Sequence, residues 1–185
     1  MIKDLIKDGE QRMQATLDAL EEDLTGIRTG RASPALIEKL PVEYYGATLP
    51  LIQMATISVP ESRQLLIRPF DVSSLKTIEK AILTSDLGLT PNNDGKSIRL
   101  NLPPLTEERR RDLVKIVNSR LEECRISIRN IRRDVLKDLR DIEKEKLISE
   151  DELKEGEEEL NELTTRMIDK VEEIGIRKEK EVMEV

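Results

Sequence analysis

The chain begins as a helix with one narrow apolar seam, breaks off, and takes up the same kind of helix again far downstream. Met13, Leu17, Leu20, Leu24 and Ile27 alternate at steps of four and three, and Ile2 and Ile6 extend the stripe toward the start. This spacing describes a coiled-coil-like seam rather than a broad globular face. Thr29-Gly30 is read as the stop, since glycine accepts the left-handed conformation that caps helices. After Pro103-Pro104 and Leu105 the pattern returns, with Thr106 as N-cap and Glu107 and Glu108 complementing the helix dipole. Its stripe is Val117, Leu121, Cys124, Ile128, Ile131, Val135, Leu139 and Ile142. The spacing predicts a rod of about 40 residues, roughly 60 Å long.

Lys146-Leu147-Ile148-Ser149 reverses the chain, and Ser149 with Glu152 has the spacing of a capping box. A last helix follows, with Leu153, Leu160, Leu163, Met167, Val171 and Ile174 on one side. Gly156 and Gly175 read as local weak points, each about 1 kcal/mol less favourable than alanine. Helices with single seams are marginal alone in water, so the three are expected to close into one long antiparallel bundle.

The stretch between the helices has a different character. It holds Tyr44, Tyr45, Phe70 and most of the prolines, whereas the flanks have no aromatic residue. Val42–Tyr45, Ala55–Val59 and Leu65–Phe70 read as extended, and Ile98, Leu100 and Leu102 alternate as a final strand. Ser73 or Ser74 opens a short helix with Leu75, Ile78, Ala81 and Ile82 on one face. The fold class is therefore α+β: residues 1–29 and 105–185 form a discontinuous three-helix bundle, and residues 30–104 form a small α/β domain inserted after the first helix. Only two chain crossings join the parts, so a hinge is expected at 29–31 and 103–105, with Gly30, Arg31, Pro103 and Pro104 as its residues.

Most catalytic chemistry is excluded by what the chain lacks. With no histidine there is no imidazole base, no histidine metal ligand and no Ser-His-Asp triad. One cysteine, Cys124, makes neither an internal disulfide nor a zinc cluster. Gly95-Lys96-Ser97 ends like a phosphate-binding loop, but that motif needs a glycine where Thr90 stands, so Asn92-Asn93-Asp94-Gly95 is read as a tight turn. We expect no enzyme, no cofactor and no metal. No apolar run is long enough to span a membrane, and Met1-Ile2-Lys3-Asp4 carries no signal core, so a cytoplasmic protein is expected.

The net charge of −7 conceals a division along the chain. Arg109 to Arg140 holds eleven Lys/Arg against five Asp/Glu, and nine of the eleven are arginine; Asp141 to Thr164 holds three against eleven. Arg111, Arg125, Arg129, Arg132, Arg133 and Arg140 fall on one flank beside the seam. Two readings stand. The flank is neutralised by the acidic last helix, or it binds a polyanion such as RNA, for which the planar guanidinium fork is suited. The bundle has no aromatic residue for base stacking, so backbone and shape recognition of folded RNA is the form such binding would take.

Five motifs stand in order along the chain: Ile27-Arg28-Thr29-Gly30-Arg31-Ala32-Ser33-Pro34; Glu43-Tyr44-Tyr45-Gly46; Ser85-Asp86-Leu87-Gly88-Leu89 with Pro91; Leu102-Pro103-Pro104-Leu105-Thr106-Glu107-Glu108-Arg109-Arg110; and Ile128-Arg129-Asn130-Ile131-Arg132-Arg133. Together they closely resemble the bacterial ribosome recycling factors over the whole chain. The resemblance implies an L-shaped molecule that binds the large subunit of post-termination ribosomes. With elongation factor G, and GTP hydrolysed by that partner, it would split them into subunits. It implies ribosomal RNA contact at Arg132 first, then Arg129 and Arg110, with Arg28 and Arg31, while Arg133 and Arg125 join from the flank. Cys124 stands where the family pattern leads one to expect a smaller residue such as alanine. The competing class is a coiled-coil scaffold or chaperone whose insert is a peptide-binding head. It would self-associate through a second seam, whereas the single seams here predict a monomer.

Overall fold

The helices are α1 (Ile2–Thr25), α2 (Leu75–Thr84), α3 (Glu107–Lys144) and α4 (Glu150–Met183). The strands are β1 (Pro41–Tyr44), β2 (Ala47–Pro50), β3 (Ala55–Glu61), β4 (Gln64–Pro69), β5 (Pro91–Asn93) and β6 (Ile98–Asn101). The computed structural model describes residues 1–184. The chain divides into two units: Met1–Leu24 with Arg111–Lys180, and Thr25–Arg110 with the residues from Glu181 on. No helix is long and apolar enough to cross a membrane, among the described residues.

Ion pairs give the helix directions in the first unit. Arg12 meets Asp134 at 2.8 Å and Arg120 meets Asp23 at 3.2 Å, so numbers rising on α1 match numbers falling on α3. Arg166 with Glu10 and Arg177 with Glu21 rise together, which makes α1 and α4 parallel. Both are antiparallel to α3, as Arg125–Glu172 and Arg140–Glu157 require. The buried stripes largely follow the expected spacing, joined by Gly9 on α1 and Leu113 on α3, but Ile2 is only half-buried and Ile27, also half-buried, lies beyond the end of α1. Ile142 and Leu153 are only half-buried. The capping box is formed: the Ser149 amide donates to Glu152 at 2.7 Å and the Glu152 amide to the Ser149 hydroxyl at 3.2 Å.

Two sequence expectations need correction at helix ends. α1 stops at Thr25, ahead of Thr29-Gly30, because Gly26 already withdraws helix propensity. Gly30 is not among the glycines with positive φ, so it supplies no left-handed cap. At α2, Ser74 holds the N-cap position as one of the two expected residues, but its side chain makes no capping bond. The Asp71 carboxylate accepts the Ser73 amide at 3.0 Å and caps a short 3-10 turn, Val72–Ser74, that runs into α2. An ionised carboxylate is a stronger acceptor than a hydroxyl. Ser74, buried, instead donates its hydroxyl to the Asp71 carbonyl at 2.6 Å.

The helical glycines are sockets rather than weak points. A Cβ on Gly9 would lie 2.8 Å from Val135 Cγ2, and one on Gly156 would lie 3.3 Å from Ile2 Cγ2 and 3.6 Å from Leu139. On Gly175 it would collide with Leu121. Each glycine lowers local helix propensity; Gly9 and Gly175 also let a neighbouring seam residue come closer than any side chain would allow, and Gly156 is only tight against Ile2.

In the second unit, β3-β4-β6-β5 form an antiparallel sheet and β1-β2 a separate hairpin. Tyr45 and Gly46 close the hairpin, both with positive φ (48° and 80°), the geometry of a two-residue primed turn. β2 and β5 were not anticipated from the sequence, being short and poor in β-branched residues. α2 turns Leu75, Ile78 and Ile82 into a core with Ile37, Val42, Leu51, Leu65, Ile67, Ile98 and Leu100. Asp94 accepts the Lys96 and Ser97 amides at 2.9 and 2.8 Å, so the turn expected from Asn92-Asn93-Asp94-Gly95 falls between β5 and β6.

Val135 has one preferred rotamer in a helix and cannot swing away. Gly9→Ala should therefore destabilise the protein by about 1–2 kcal/mol instead of gaining helix propensity. Adding Val135→Ala should recover part of that loss, a coupling readable as a double-mutant cycle in urea unfolding. Asp94, held low by the Lys96 and Ser97 amides and the Ser97 hydroxyl, gives a second expectation. With its folded pKa below the unfolded one, its contribution is complete above the ordinary carboxylate range and is lost as pH falls through the lowered value. Amide exchange at Lys96 and Ser97 should quicken only in that acid window.

Candidate nucleic-acid interface

α3 carries the arginine flank, and the chemistry of each partner decides how much positive charge remains. Arg125 is the most enclosed: it reaches Glu172 at 2.6 Å and Glu122 at 3.0 Å with its side chain 21% exposed. Burial works against its charge, but the hydrogen bonds and charges of Glu172 and Glu122 outweigh it and raise its pKa. Arg140 meets Glu157 at 3.3 Å. These two follow the reading in which the acidic last helix neutralises the flank. Arg129 meets Glu122 at 3.6 Å, a long contact to a carboxylate already shared with Arg125.

Arg132 is held differently. Its Nε and Nη2 both donate to Asn161 Oδ1, at 2.9 and 2.7 Å, so a neutral amide orients the guanidinium without cancelling its charge. Arg133 donates to Asn130 Oδ1 at 3.4 Å, again a neutral acceptor. Along α3, then, Arg132 and Arg133 keep their charge, Arg129 keeps part of it, and Arg125 serves packing.

A second arginine group lies in the other unit. Arg28 donates from Nη2 to the Pro103 carbonyl at 2.6 Å, which ties the two chain crossings together. Its Nε is buried with no hydrogen-bond partner, and so is the Nε of Arg110. Burial, with the like charge of Arg109, pushes the Arg28 guanidinium below its ordinary pKa. Arg109 and Arg110 stand in the first turn of α3, behind the Thr106 hydroxyl that accepts the Arg109 amide at 3.1 Å. A helix N-terminus also disfavours positive charge. The like charges of Arg28 and Arg109 therefore stand close enough to repel, a repulsion that an anion would relieve.

Arg109 was missing from the sequence-level candidates. Its proximity to Arg28 spans the whole insert in sequence and leaves no local signal. Arg31 is exposed and pairs with Glu184 at 3.6 Å, a contact weak enough for another anion to replace. The hinge candidates Gly30, Arg31, Pro103 and Pro104 all fall in the second unit.

No cluster of His, Cys, Asp and Glu able to hold a metal occurs among the described residues. Cys124 is buried on the α3 seam, and burial pushes its thiol up against a smaller pull from Arg125. Removing Arg125 should therefore differ from removing Arg132. Arg125→Ala is expected to cost about 1 kcal/mol by removing its pair with Glu172 and the packing of its half-buried stem between α3 and α4. Arg132→Ala should stay within about 0.5 kcal/mol. Thermal unfolding of the two variants checks the contrast.

Comparison with known proteins agrees with this architecture. The family model for ribosome recycling factor matches residues 20–183. Ribosome-recycling factors from Roseiflexus sp. (strain RS-1) and Dehalococcoides mccartyi (strain CBDB1) are 55% and 50% identical over 185 residues, the full length of this chain and of each relative. A solution structure of the ribosome recycling factor superposes with a TM-score of 0.79 at 42% identity, covering 100% of this chain and 98% of that one. A second structure contains the T. thermophilus ribosome recycling factor and the E. coli elongation factor G bound to the E. coli post-termination complex. It matches with a TM-score of 0.68 at 47% identity, covering both chains completely. The chain belongs to the ribosome recycling factor family.

Proposed function

We propose that the protein recycles ribosomes in the cytoplasm. It binds the large subunit of post-termination complexes as a monomer and, with elongation factor G and GTP hydrolysed by that factor, separates the subunits. It has no active site of its own. The observation that carries the binding step is Arg132, a cation positioned on two hydrogen bonds by a neutral amide and left with its charge uncompensated. Arg129 and Arg133 extend the phosphate-binding surface on α3, and Arg28 and Arg110, with Arg109, form the second group. Arg31 is added by exchange of its weak ion pair, while Arg125 contributes mainly by holding α3 to α4. Support for the partner comes from the T. thermophilus relative, which occurs with elongation factor G on a post-termination complex.

The working step in this reading is bending at Gly30-Arg31 and Pro103-Pro104. The Arg28–Pro103 hydrogen bond clips these crossings side by side, so the chain there moves as a pair. A coiled-coil scaffold would need a second apolar seam. The bundle helices leave Ile116 and Ile126 exposed on α3 and Ile176 and Met183 on α4, too few to make a continuous second stripe along either helix.

Arg132→Ala should weaken large-subunit binding about tenfold, the equivalent of one charge-assisted contact. Sedimentation with purified subunits measures it, and unchanged comigration would remove Arg132 from the interface. Wild-type binding should weaken as salt is raised, and less steeply when Arg28 and Arg110 are both replaced by alanine. Replacing both Pro103 and Pro104 by glycine should leave subunit binding within about twofold while slowing splitting several-fold, since a slack joint transmits less force. Normal splitting by that variant would exclude bending at this corner.

A further inference from the structure

Leu65, Ile67, Ile98 and Leu100 point into the core of the second unit, so strand alternation sends Gln64, Arg68, Arg99 and Asn101 to the opposite face of the sheet. Asn92 on β5 stands across from Arg99 and joins them. Both arginines and both asparagines are exposed. Neither arginine forms an ion pair among the described residues. Arg99 donates instead to Gln64 Oε1 at 3.4 Å, and Gln64 Nε2 donates to Asn101 Oδ1 at 3.0 Å. That chain of bonds ends on the Asn101 NH2 group, a donor it does not use. Asp94 feels the charge of Arg99 but is already bonded to the Lys96 and Ser97 amides. Glu61 stands across from Gln64, which separates it from Asn101. Beside Asn92 and Asn101 the sheet edge opens into a recess of about 490 Å³, with Leu89, Thr90, Pro91 and Pro103 among its walls. Its size falls within the roughly 300–1,000 Å³ of ligand sites, and so does its mixture of apolar walls and a few polar groups.

We propose that this recess and the arginines beside it hold an unstacked nucleotide of ribosomal RNA. The base enters against Leu89, Pro91 and Pro103, the Asn92 and Asn101 amides meet its edge, and Arg99 and Arg68 take the phosphates. The assignment rests on the functional reading above and adds to it a second RNA site, carried by the inserted part of the chain. A primary amide offers a donor and an acceptor side by side, which is what the edge of a base requires. A phosphate alone would call for cations inside the recess, whereas here the cations stand outside it and the neutral amides within. Arg68 and Arg99 are diagonal neighbours on β4 and β6, about 7–8 Å apart, so one strand of backbone laid on the sheet reaches both. The face has no aromatic ring, so the apolar walls take the place of stacking. A paired base in an A-form helix does not present its edge to such a recess, which selects a splayed nucleotide. RNA is favoured over an acidic protein segment because charged and neutral donors stand together, as phosphate and base edge do within one nucleotide.

The test compares the full chain carrying Arg68→Gln with Arg99→Gln and the full chain carrying Asn92→Ala with Asn101→Ala. All four residues are exposed, so neither pair should move the thermal midpoint. In sedimentation titrations against purified ribosomes, the arginine pair should weaken binding about tenfold and flatten the log–log salt slope by about 0.7–0.9 per lost phosphate contact. The asparagine pair should weaken binding about fivefold and leave the salt slope unchanged. A photoreactive benzoylphenylalanine in place of Thr90, on the recess wall, should crosslink to one stretch of ribosomal RNA, and excess wild-type chain should suppress the crosslink. Unchanged affinity in both pairs would overturn the assignment and leave the functional reading intact. Weakening by the arginine pair alone would reduce the face to a counter-charge and overturn the base recess. Crosslinks confined to a ribosomal protein or to elongation factor G would make the occupant a protein and overturn it as well. A wild-type chain that does not sediment with ribosomes at any salt would sink the functional reading itself, and this site with it.

Discussion

Leu121, Val135 and Leu139 project from α3 onto glycines of its neighbours, and the rest of the first unit follows from that contact. Gly175 and Gly156 receive two of them on α4, and Gly9 receives the third on α1. A knob seated where only a hydrogen fits, as at Gly9 and Gly175, cannot slide by one residue without a clash, so those two sockets fix the register of the helices as well as their spacing, while Leu139 makes ordinary contact at Gly156. Register then decides which polar flank residues meet. With Leu121 over Gly175, Arg125 falls opposite Glu172; with Leu139 near Gly156, Arg140 falls opposite Glu157 and Arg132 opposite Asn161. Apolar packing thus determines which arginines lose their charge to the acidic helix and which keep it.

The distinction between a carboxylate and an amide partner carries functional weight. A guanidinium beside a carboxylate must give up that pairing before it meets a phosphate, so little is gained by exchange. A guanidinium held by an asparagine carbonyl is already oriented, has lost part of its rotamer freedom on folding, and keeps its full attraction for an anion. Arg28, Arg109 and Arg110 reach the same end by another route. Burial and the like charge of Arg109 disfavour the Arg28 guanidinium in the free state, so an anion near that pair would relieve the repulsion.

The seams, the long rods, the capping box at Ser149 and the inserted α/β stretch were legible because each rests on local spacing. What escaped was non-local or depended on shape. Gly156 and Gly175 read as defects, since propensity is a property of one helix whereas a socket is a property of two. Thr29-Gly30 read as a helix stop because glycine permits a cap, but Gly26 intervened first. Ser73 and Ser74 matched the preferred cap residues, yet Asp71 one turn earlier offered the stronger acceptor. Among the site candidates, composition marked the flank but could not sort Arg125 from Arg132, because their partners lie on a different helix. Arg109 stood beside a chosen candidate and was passed over for the same reason.

A binding protein shifts the equilibrium of an assembly only by binding one state better than another. Phosphate contacts supply affinity that is broad, long-ranged and screened by salt, which suits capture of a large RNA surface. They discriminate poorly between two nearby states, because the charge interaction changes little over small displacements. Apolar contacts between rings and a fitted pocket behave in the opposite way, being short-ranged and lost over about an ångström. The arginines on α3 and the exposed rings of the second unit are therefore physically different surfaces, one long-ranged and screened by salt, the other dependent on close fit. Tyr45 stands on the hairpin tip, braced through Tyr44 and its bond to Asp71, whereas Phe70 follows the end of β4, so the brace stiffens the tyrosine. Stiffness is what a contact needs if a push delivered there is to reach the chain instead of being absorbed by a side chain.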